Sequence, residues 1–399
     1  MSPITMRWAS AIDTDPLLSN AVTRTAAQLF KGLGNREPDL LTVFVSSHHA
    51  ARFEELSRLL LREFESSFLF GCCADGVIGG GSEIEDRPGL ALTGAVLPGV
   101  RMKGVHLDAA QVPPVYAEQR TWEDAMHLTA SQQPAFLILG DPFSFETETF
   151  VKGLDRVYPN APKIGGLAGG ARQVGGSVLY LGNEVHRSGA VALALTGNIQ
   201  VDTIVAQGCR PVGDPMFVTL AHENLIRELD GQTPRDVLAG LFERLSSADR
   251  DLFSQSLFLG LAMRTDTDRY VPGDFLIRNI LGMDPQSGAL WVNAHIPAKS
   301  VVQFHLRDAS ASAFDLERAL TQYRNSTLSG PPAGALLFSC AGRGYGLYGQ
   351  DDHDSNAFRR LVADVPIGGF FGNGEIGPVQ NATYLHGYTS AFAVFSERK

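Results

Sequence analysis

The feature that most constrains the fold is a unit of secondary structure that occurs three times along the chain. Each copy reads as a strand rich in β-branched and aromatic residues, an amphipathic helix, a glycine-rich turn and a closing strand. The copies span residues 41–99, 135–197 and 335–395. Repetition in a constant order indicates one module used three times. Because a strand–helix–strand crossover is parallel and right-handed and an extra strand closes each copy, we predict mixed sheets.

The stretch between residues 205 and 330 interrupts this rhythm. It contains one helix pattern at 234–245 and several short strand patterns separated by turn residues. A chain of 399 residues is also too long for one ordinary core. We therefore predict an α/β protein of two domains, with mixed β-sheets flanked by helices. The first domain, 1–225, holds two of the repeated units, and the second, 226–399, holds the meandering strands and the third unit.

Composition and charge narrow the environment and the partners. The formal net charge of −10 argues against a uniformly basic surface for nucleic acid. The amino terminus lacks the apolar run of a signal peptide, and no apolar run reaches the roughly 18 residues of a membrane helix. The four cysteines form no CxxC pair, which favours reduced thiols. We expect a cytoplasmic protein that binds neither nucleic acid nor membrane.

The glycine-rich turns at 71–81, 165–176 and 368–377 admit two interpretations. Such turns can present several backbone N–H groups to a carboxylate or phosphate. They can also be corners and bulges in which only glycine fits. Three equivalent turns that converge on one pocket would favour the first interpretation, and a repeated structural corner would favour the second. Residues alone leave both open.

Three residues near the third turn are candidates for chemistry. Glu375 is a lone acid in "GNGEIG", so it either faces solvent or meets a cation, which would be a ligand amino group or Arg343 in "CAGRGYG". Arg343 can pair with a carboxylate or tie down its loop through backbone carbonyls. Cys340 lies where the first strand of the third unit ends, the edge at which ligands gather in open α/β sheets. As a nucleophile it needs a base or a positive environment, and a buried inert thiol is the favoured alternative.

Searches for cofactor and metal motifs give little. "GYGLYG" at 344–349 matches GxGxxG, but its two tyrosines crowd the place of a pyrophosphate. "DDHD" at 351–354 could bind a metal, although at the start of a helix we expect it to cap the N-terminus. The chain has no Walker, HExxH or GxSxG motif. We therefore expect no cofactor, no metal and no enzymatic activity.

Four motifs in a fixed order resemble the FIST family. They are "FLFGCCADGVIGGGSEIEDRPGLALTGAVLPG", "QGCRPVG", "FSCAGRGYGLYG" and "PIGGFFGNGEIGP". The resemblance covers the chain from about residue 40 to the end. It implies a FIST N domain at 1–225 and a FIST C domain at 226–399. The first motif departs from the family where Cys73 and Asp75 replace small residues, and the chain lacks the F-box pattern of the animal members.

The resemblance implies a sensory module that binds a small ligand such as an amino acid and acts on a signalling partner. Its C-terminal motifs correspond here to Cys340, Gly342, Arg343, Gly344, Gly374, Glu375 and Gly377. Together with the turns and the domain seam, the candidate ligand-binding residues are Cys72, Arg210, Cys340, Arg343, Gly344, Asn373, Gly374 and Glu375. The alternatives are a protein–protein interaction module without a small ligand and, with less support, an enzyme that depends on Cys340.

Overall fold

The computed structural model describes residues 5–264, 267, 269–271, 273–297, 299–326 and 330–398. The chain forms two compact units. The first comprises Met1–Ala206, Leu316–Leu385 and Thr389–Lys399, and the second comprises Gln207–Asp315 and His386–Tyr388. The FIST-like repeats belong to the first unit and the meandering strands to the second.

The described residues form 24 strands and nine α-helices in the following order along the chain. The strands are β1 (Arg7–Asp13), β2 (Leu40–Ser46), β3 (Phe68–Ala74), β4 (Gly76–Gly79), β5 (Ser82–Ile84), β6 (Leu90–Val96), β7 (Val100–Leu107), β8 (Ala135–Gly140), β9 (Lys163–Leu167), β10 (Leu179–Leu181), β11 (Glu184–His186), β12 (Ala190–Gly197), β13 (Gln200–Ala206), β14 (Cys209–His222), β15 (Leu225–Leu229), β16 (Leu257–Ala262), β17 (Phe275–Met283), β18 (Leu290–Val292), β19 (Val301–Arg307), β20 (Gly334–Cys340), β21 (Ile367–Gly372), β22 (Glu375–Val379), β23 (Ala382–His386) and β24 (Ser390–Ser396). The helices are α1 (Leu18–Gly32), α2 (Phe53–Glu63), α3 (Gln119–Met126), α4 (Thr147–Val157), α5 (Pro234–Arg244), α6 (Ser247–Ser256), α7 (Ala309–Asn325), α8 (Tyr345–Tyr348) and α9 (His353–Leu361).

The threefold repetition predicted from the sequence is confirmed and is longer than predicted. Each copy contains an edge strand, a helix, a strand, a crossover helix, a parallel strand, a hairpin and a closing strand. The edge strands are β1, β7 and β13, and the crossover helices are α2, α4 and α9. In the third copy the strands of the second unit come between β13 and α7 in the chain. The predicted mixed sheets flanked by helices are therefore present.

The hairpin of each copy joins the sheet of another copy. The sheets have the orders β1-β6-β2-β3-β10-β11, β7-β12-β8-β9-β22-β23 and β13-β24-β20-β21-β4-β5. The first copy thus gives its hairpin to the third, the second gives its hairpin to the first, and the third gives its hairpin to the second. We call this arrangement the hairpin exchange. The exchange closes a cycle among the three copies, so each copy needs a hairpin from another copy to complete its own sheet.

Three glycines allow the parallel strands at the centre of each sheet to pair. Gly71, Gly165 and Gly369 lie directly opposite Val43, Ile138 and Leu337. A Cβ atom built on any of the three would lie 1.8 Å from the carbonyl oxygen of the residue opposite. No side chain fits at that distance, so these glycines are required by the backbone. For these positions the structural interpretation of the glycine-rich turns is the correct one.

The helices of the first unit bury the apolar stripes that their spacing predicts. Phe53, Leu56 and Leu60 of α2 are buried, as expected from positions i, i+3 and i+7. Helix α1 buries Leu18, Val22 and Leu29 in the same core. Neither β1 nor α1 was predicted from the sequence, although both elements belong to the first copy.

The second unit is a closed six-stranded barrel with the order β14-β15-β18-β17-β16-β19. Its interior is filled by apolar side chains such as Leu259, Val302 and Phe304, each at most 1% exposed. The sequence predicts these strands as a meander, and the closure into a barrel is an addition from the structure. No helix in the described part of either unit is long and apolar enough to cross a bilayer.

The close approach of the backbones at Gly71 predicts that one added methyl group has a large effect on stability. Gly71→Ala should lower the free energy of unfolding by about 3 kcal/mol or more, because the strand pair cannot separate without losing its hydrogen bonds. Gly346→Ala is the matched control, since nothing lies within 4 Å of a Cβ at that position. Urea denaturation of both variants measures the difference. Equal stability of the two variants would contradict the proposed steric role.

Candidate functional site

The centre of the candidate site is a buried ion pair between Arg343 and Asp354. Arg343 follows the end of β20, and Asp354 is the second residue of α9. The Arg343 Nε atom lies 3.0 Å from Asp354 Oδ2, and the two side chains are 0% and 2% exposed. Burial alone would raise the pKa of Asp354, but the guanidinium and the other hydrogen bonds hold it well below its ordinary value. Both groups are charged at neutral pH.

Three further side chains complete what we call the Arg343 cluster. His353 Nδ1 donates to Asp354 Oδ1 at 2.8 Å, and the Ser390 hydroxyl donates to Asp354 Oδ2. The Tyr348 hydroxyl accepts from Arg343 Nη2, and its ring stacks on His353 with centroids 3.5 Å apart. The cluster of Arg343, Tyr348, His353, Asp354 and Ser390 therefore ties α8, α9 and β24 together.

We expected the acidic run at 351–354 to cap α9. This expectation is wrong, because neither Asp352 nor Asp354 caps the helix with its side chain. Asp352 occupies the N-cap position with φ of 57°, and its side chain makes no cap hydrogen bond. It accepts from the Glu83 N–H at 2.6 Å instead. Asp354 turns to Arg343. The reason is tertiary, because a buried arginine offers a stronger partner than the N–H groups of the first helical turn.

The start of α9 is capped from a distant strand. Glu83 of β5 accepts from the backbone N–H and the hydroxyl of Ser355, at 2.7 and 2.6 Å. Burial and then the nearby Asp354 charge raise the pKa of Glu83 to about 8. Its neighbour Glu85 accepts from the Tyr345 N–H at 2.8 Å. The hairpin that the first copy contributes to the third sheet thus also holds the loop that carries Arg343.

Glu375 is buried beside this cluster with half of its carboxyl group unsatisfied. It begins β22 and is 1% exposed. Its Oε2 atom accepts from the Thr389 N–H at 3.1 Å. Among the residues that the structure describes, none hydrogen-bonds to its Oε1 atom. Burial raises the pKa of Glu375 well above its ordinary value, against the weaker opposing effects of the Thr389 hydrogen bond and the Arg343 charge. Burial therefore favours the protonated form of Glu375.

The remaining candidates of the third copy are placed around the same loops. The Cys340 N–H donates to the Thr389 carbonyl at 3.1 Å, and its Sγ atom accepts from the Gly342 N–H at 3.5 Å. Gly344 has φ of 65°, and a Cβ there would overlap the carboxyl group of Glu85. Cys340, Arg343, Gly344 and Glu375 are thus gathered where β20 and β21 end.

The three glycine-rich turns do converge, but they bind each other. The Asn373 amide donates to the Ala168 carbonyl at 3.0 Å, and the Gly374 carbonyl accepts from the Leu167 N–H at 2.8 Å. In the first turn, the Asp75 N–H donates to the Phe371 carbonyl at 2.9 Å. These backbone groups and the Asn373 side chain are used in hydrogen bonds between the turns. The convergence therefore supports the fold, and the anion-binding interpretation of these amides loses its basis.

Two candidates lie elsewhere. Cys72 is 0% exposed in β3, and burial raises the pKa of its thiol well above the ordinary value. Arg210 belongs to the second unit, where it forms ion pairs with Asp249 and Asp308. Neither residue is part of the Arg343 cluster. Within the described residues, no three His, Cys, Asp or Glu side chains are arranged to hold a metal ion.

Glu83, Tyr348, His353, Asp354 and Ser390 were not predicted from the sequence as members of the site. The only local signal was the acid run at the start of α9, which has an ordinary capping explanation. Glu83 and Ser390 are far from Arg343 in sequence, and only the hairpin exchange and the closing strand bring them to it.

Family models match most of the chain. The FIST N domain matches residues 39–232, and the FIST C domain matches residues 235–378. This protein belongs to the FIST family. The suspected family is confirmed, and the loops that hold Arg343 and Glu375 lie within the matched FIST C region.

Two mycobacterial relatives align with nearly the full length of this chain, and a human relative aligns with a short segment. "Uncharacterized protein Rv0628c" of Mycobacterium tuberculosis is 34% identical over 397 residues, covering 98% of this chain and 100% of the relative. "Uncharacterized protein Mb0898c" of Mycobacterium bovis is 32% identical, with 98% and 99% covered. Human "F-box only protein 22" is 46% identical over 43 residues, which cover 10% of this FIST protein and 11% of the human protein.

Among solved structures, a cyanuric acid hydrolase from A. caulinodans aligns with 98% of this chain and 100% of its own. The TM-score is 0.37 and the identity 10%. Similarity at this level carries no conclusion about activity.

The raised pKa of Glu83 predicts how stability depends on pH. Between the ordinary value of 4.5 and about 8, the folded protein keeps a proton that the unfolded chain has released. Stability should therefore fall as pH rises through this range. Glu83→Gln keeps an oxygen that accepts from Ser355 and removes the titration, so its stability should fall less between pH 5 and pH 8. Glu63→Gln, at an exposed position, controls for the lost charge. Urea denaturation at several pH values decides, and identical slopes for all three proteins would contradict the role of Glu83.

Proposed function

We propose that this FIST protein is a ligand-binding sensory protein and that its ligand engages Glu375 beside the Arg343 cluster. The observation that carries the proposal is the Oε1 atom of Glu375, which is buried and accepts no hydrogen bond from the described residues. An unsatisfied buried acceptor costs free energy, so such a group is usually explained by a partner that binds there. FIST domains are proposed sensory domains, which supports the same function.

The expected ligand carries an amino group. An ammonium group near Glu375 would favour the ionised carboxylate and form a charge-assisted hydrogen bond with Oε1. Arg343 is less suited to a ligand carboxylate than the sequence suggests, because Asp354 already balances its charge. Amino acids and related amines are therefore the ligand class to test first.

The segment that carries α8 offers a route to this buried position. It is bounded by Gly344 and Gly349, both with φ of 65°. Tyr345 at its tip is 57% exposed, while Tyr348 at its end reaches Arg343. Rotation about the two glycines would move Tyr348 away from Arg343 and His353 while the backbones of β20 and α9 stay in place. A signal then follows from the rearranged contacts of this segment with Glu85 and His353.

The proposal is tested with Glu375→Gln, which is nearly isosteric. We screen the wild type for thermal stabilisation by the common amino acids and by simple amines. A ligand at about 100 times its Kd adds roughly 2.7 kcal/mol of stability. The affinity of the hit should be at least about tenfold lower for Glu375→Gln than for the wild type. Its affinity for Glu63→Gln should equal that for the wild type. Equal affinity of the wild type and Glu375→Gln for that hit would remove Glu375 from the site.

The release of a proton on ligand binding is an independent test of the same site. Because burial favours the protonated form of Glu375 in the free protein, an ammonium ligand that pairs with the carboxylate should displace a proton on binding. Affinity should then rise with pH until Glu375 is ionised in the free protein. Calorimetry in two buffers of different ionisation enthalpy measures the released proton. Binding of an amine without proton release would contradict this assignment of the ligand amino group.

We also propose that the protein binds without catalysis. If Cys340 were a nucleophile, it would react rapidly with iodoacetamide at neutral pH. In a Cys209→Ser background, we expect Cys340 to react no faster than an ordinary thiol in a small peptide. A much faster rate would favour the enzyme that the sequence left as an alternative.

One observation favours protein–protein interaction as a second candidate function. Strands β14, β17 and β18 of the barrel carry exposed apolar side chains. Phe217 and Leu281 are each 59% exposed, Leu220 is 46% and Trp291 is 41%. Exposed apolar groups concentrated on one small unit are typical of interaction surfaces. Under this alternative the screen would find no ligand, and substitution of Trp291 by Ser would leave the fold intact while abolishing partner capture.

A further inference from the structure

A second pocket in the first unit has features of an anion site. It has a volume of about 410 Å³ and lies beside β1, the turn between β4 and β5, and the start of β21. Among the residues that line it are Trp8, Ser10, Gly81, Arg359 and Asp364. None of them belongs to the Arg343 cluster, so the pocket is separate from the position proposed for the amine ligand.

Arg359 brings an unbalanced positive charge to this pocket. Its Nη2 atom donates to the Gly81 carbonyl at 2.7 Å and to Asn356 Oδ1 at 2.9 Å, both of which are neutral. Within the described residues, no carboxylate lies at ion-pair distance from it, although the exposed Asp364 lines the same pocket. The neighbouring Arg360, by contrast, is paired with Glu317. A cation held by neutral acceptors at a pocket is suited to an anionic ligand.

Two buried N–H donors on the lining residues lack acceptors. The Nε atom of Arg359 and the indole Nε1 atom of Trp8 are both buried and make no hydrogen bond in the described part of the chain. Trp8 is 4% exposed and stacks on Phe395 with ring centroids 4.4 Å apart, which fixes the indole. Each unsatisfied buried donor lowers the stability of the folded protein. Both donors belong to residues that line one pocket, so an acceptor bound there is a possible partner for each of them.

We propose that this pocket binds a small oxyanion, namely a carboxylate or a phosphate group. Arg359 supplies the positive charge and the Nε–H donor, and Trp8 supplies the indole N–H. Both nitrogens are shielded from water, so binding includes a local movement of the partly exposed Arg359 side chain. Gly81 leaves room for the guanidinium, since a Cβ there would lie 3.1 Å from Arg359 Nη1. The proposal does not depend on the ligand of Glu375.

Three variants distinguish specific binding at this site from a general effect of positive charge. Arg359→Lys keeps the charge and removes the Nε–H donor. Trp8→Phe keeps the stack on Phe395 and removes the indole N–H. Arg360→Lys makes the same chemical change one residue away, at a side chain paired with Glu317, and serves as the control. Thermal midpoints and near-ultraviolet circular dichroism confirm that each variant is folded.

The probes are sodium acetate and inorganic phosphate, titrated at constant ionic strength and followed by calorimetry and tryptophan fluorescence. We expect saturable binding of one of them, and the one that saturates identifies the source of the oxyanion. Affinity should fall about tenfold or more in Arg359→Lys and in Trp8→Phe and stay unchanged in Arg360→Lys.

Two results would overturn the proposal. The first is the absence of saturable binding of both probes to the folded wild type at millimolar concentration. The second is an equal affinity of Arg359→Lys and Arg360→Lys for the probe. If Trp8→Phe does not fold, the comparison of the two arginine variants alone decides. Loss of binding at Glu375 leaves these outcomes unaffected, because the two sites share no residue.

Discussion

The close approach of neighbouring backbones is the constraint on which the rest of this FIST protein depends. Gly71, Gly165 and Gly369 let the central parallel strands pair where a Cβ would collide with a carbonyl oxygen. Those strands then continue into turns whose backbone groups bond to the turns of the other copies. The hairpin exchange follows, because each turn leads its chain into a neighbouring sheet. Three copies of one module thereby become one folded unit in which none is complete alone.

This backbone arrangement also decides which charges are buried. The exchanged hairpin carries Glu83 to the start of α9, and the closing strand carries Ser390 to Asp354. Asp354 forms an ion pair with Arg343 and stays ionised. Glu83 and Glu375 form no such ion pair among the described residues, and burial raises their pKa values. Buried acids that differ in this way mark a region where the binding of charge would change protonation. In the function that we propose, Arg343 is therefore a fixed charge, and Glu375 is the group whose protonation responds to a ligand.

Much of the architecture could be predicted from the sequence, because it rests on local patterns. The helix at Phe53–Glu63 follows from apolar spacing, and the threefold module follows from the repeated order of strand, helix and glycine turn. The cyclic exchange of hairpins could not be predicted, since period-two alternation does not say which strand is the neighbour. The same limit applies to the site. Arg343 and Glu375 stood out locally, but the partner of Arg343 was a residue whose position at a helix start already had a sufficient explanation.

The glycine-rich turns and the functional proposal are therefore separate matters. A high density of glycine near strand ends suggests a cradle for anions, yet here Leu167, Asn373 and Gly374 use their backbone groups on each other. Our proposals therefore assign ligand recognition to side chains whose hydrogen-bonding capacity the fold leaves unmet. Glu375 is an acceptor of this kind, while Arg359 and Trp8 are donors. Because an acceptor and a pair of donors select ligands of opposite charge, the two proposed sites would take an amine at Glu375 and an oxyanion at Arg359 and Trp8.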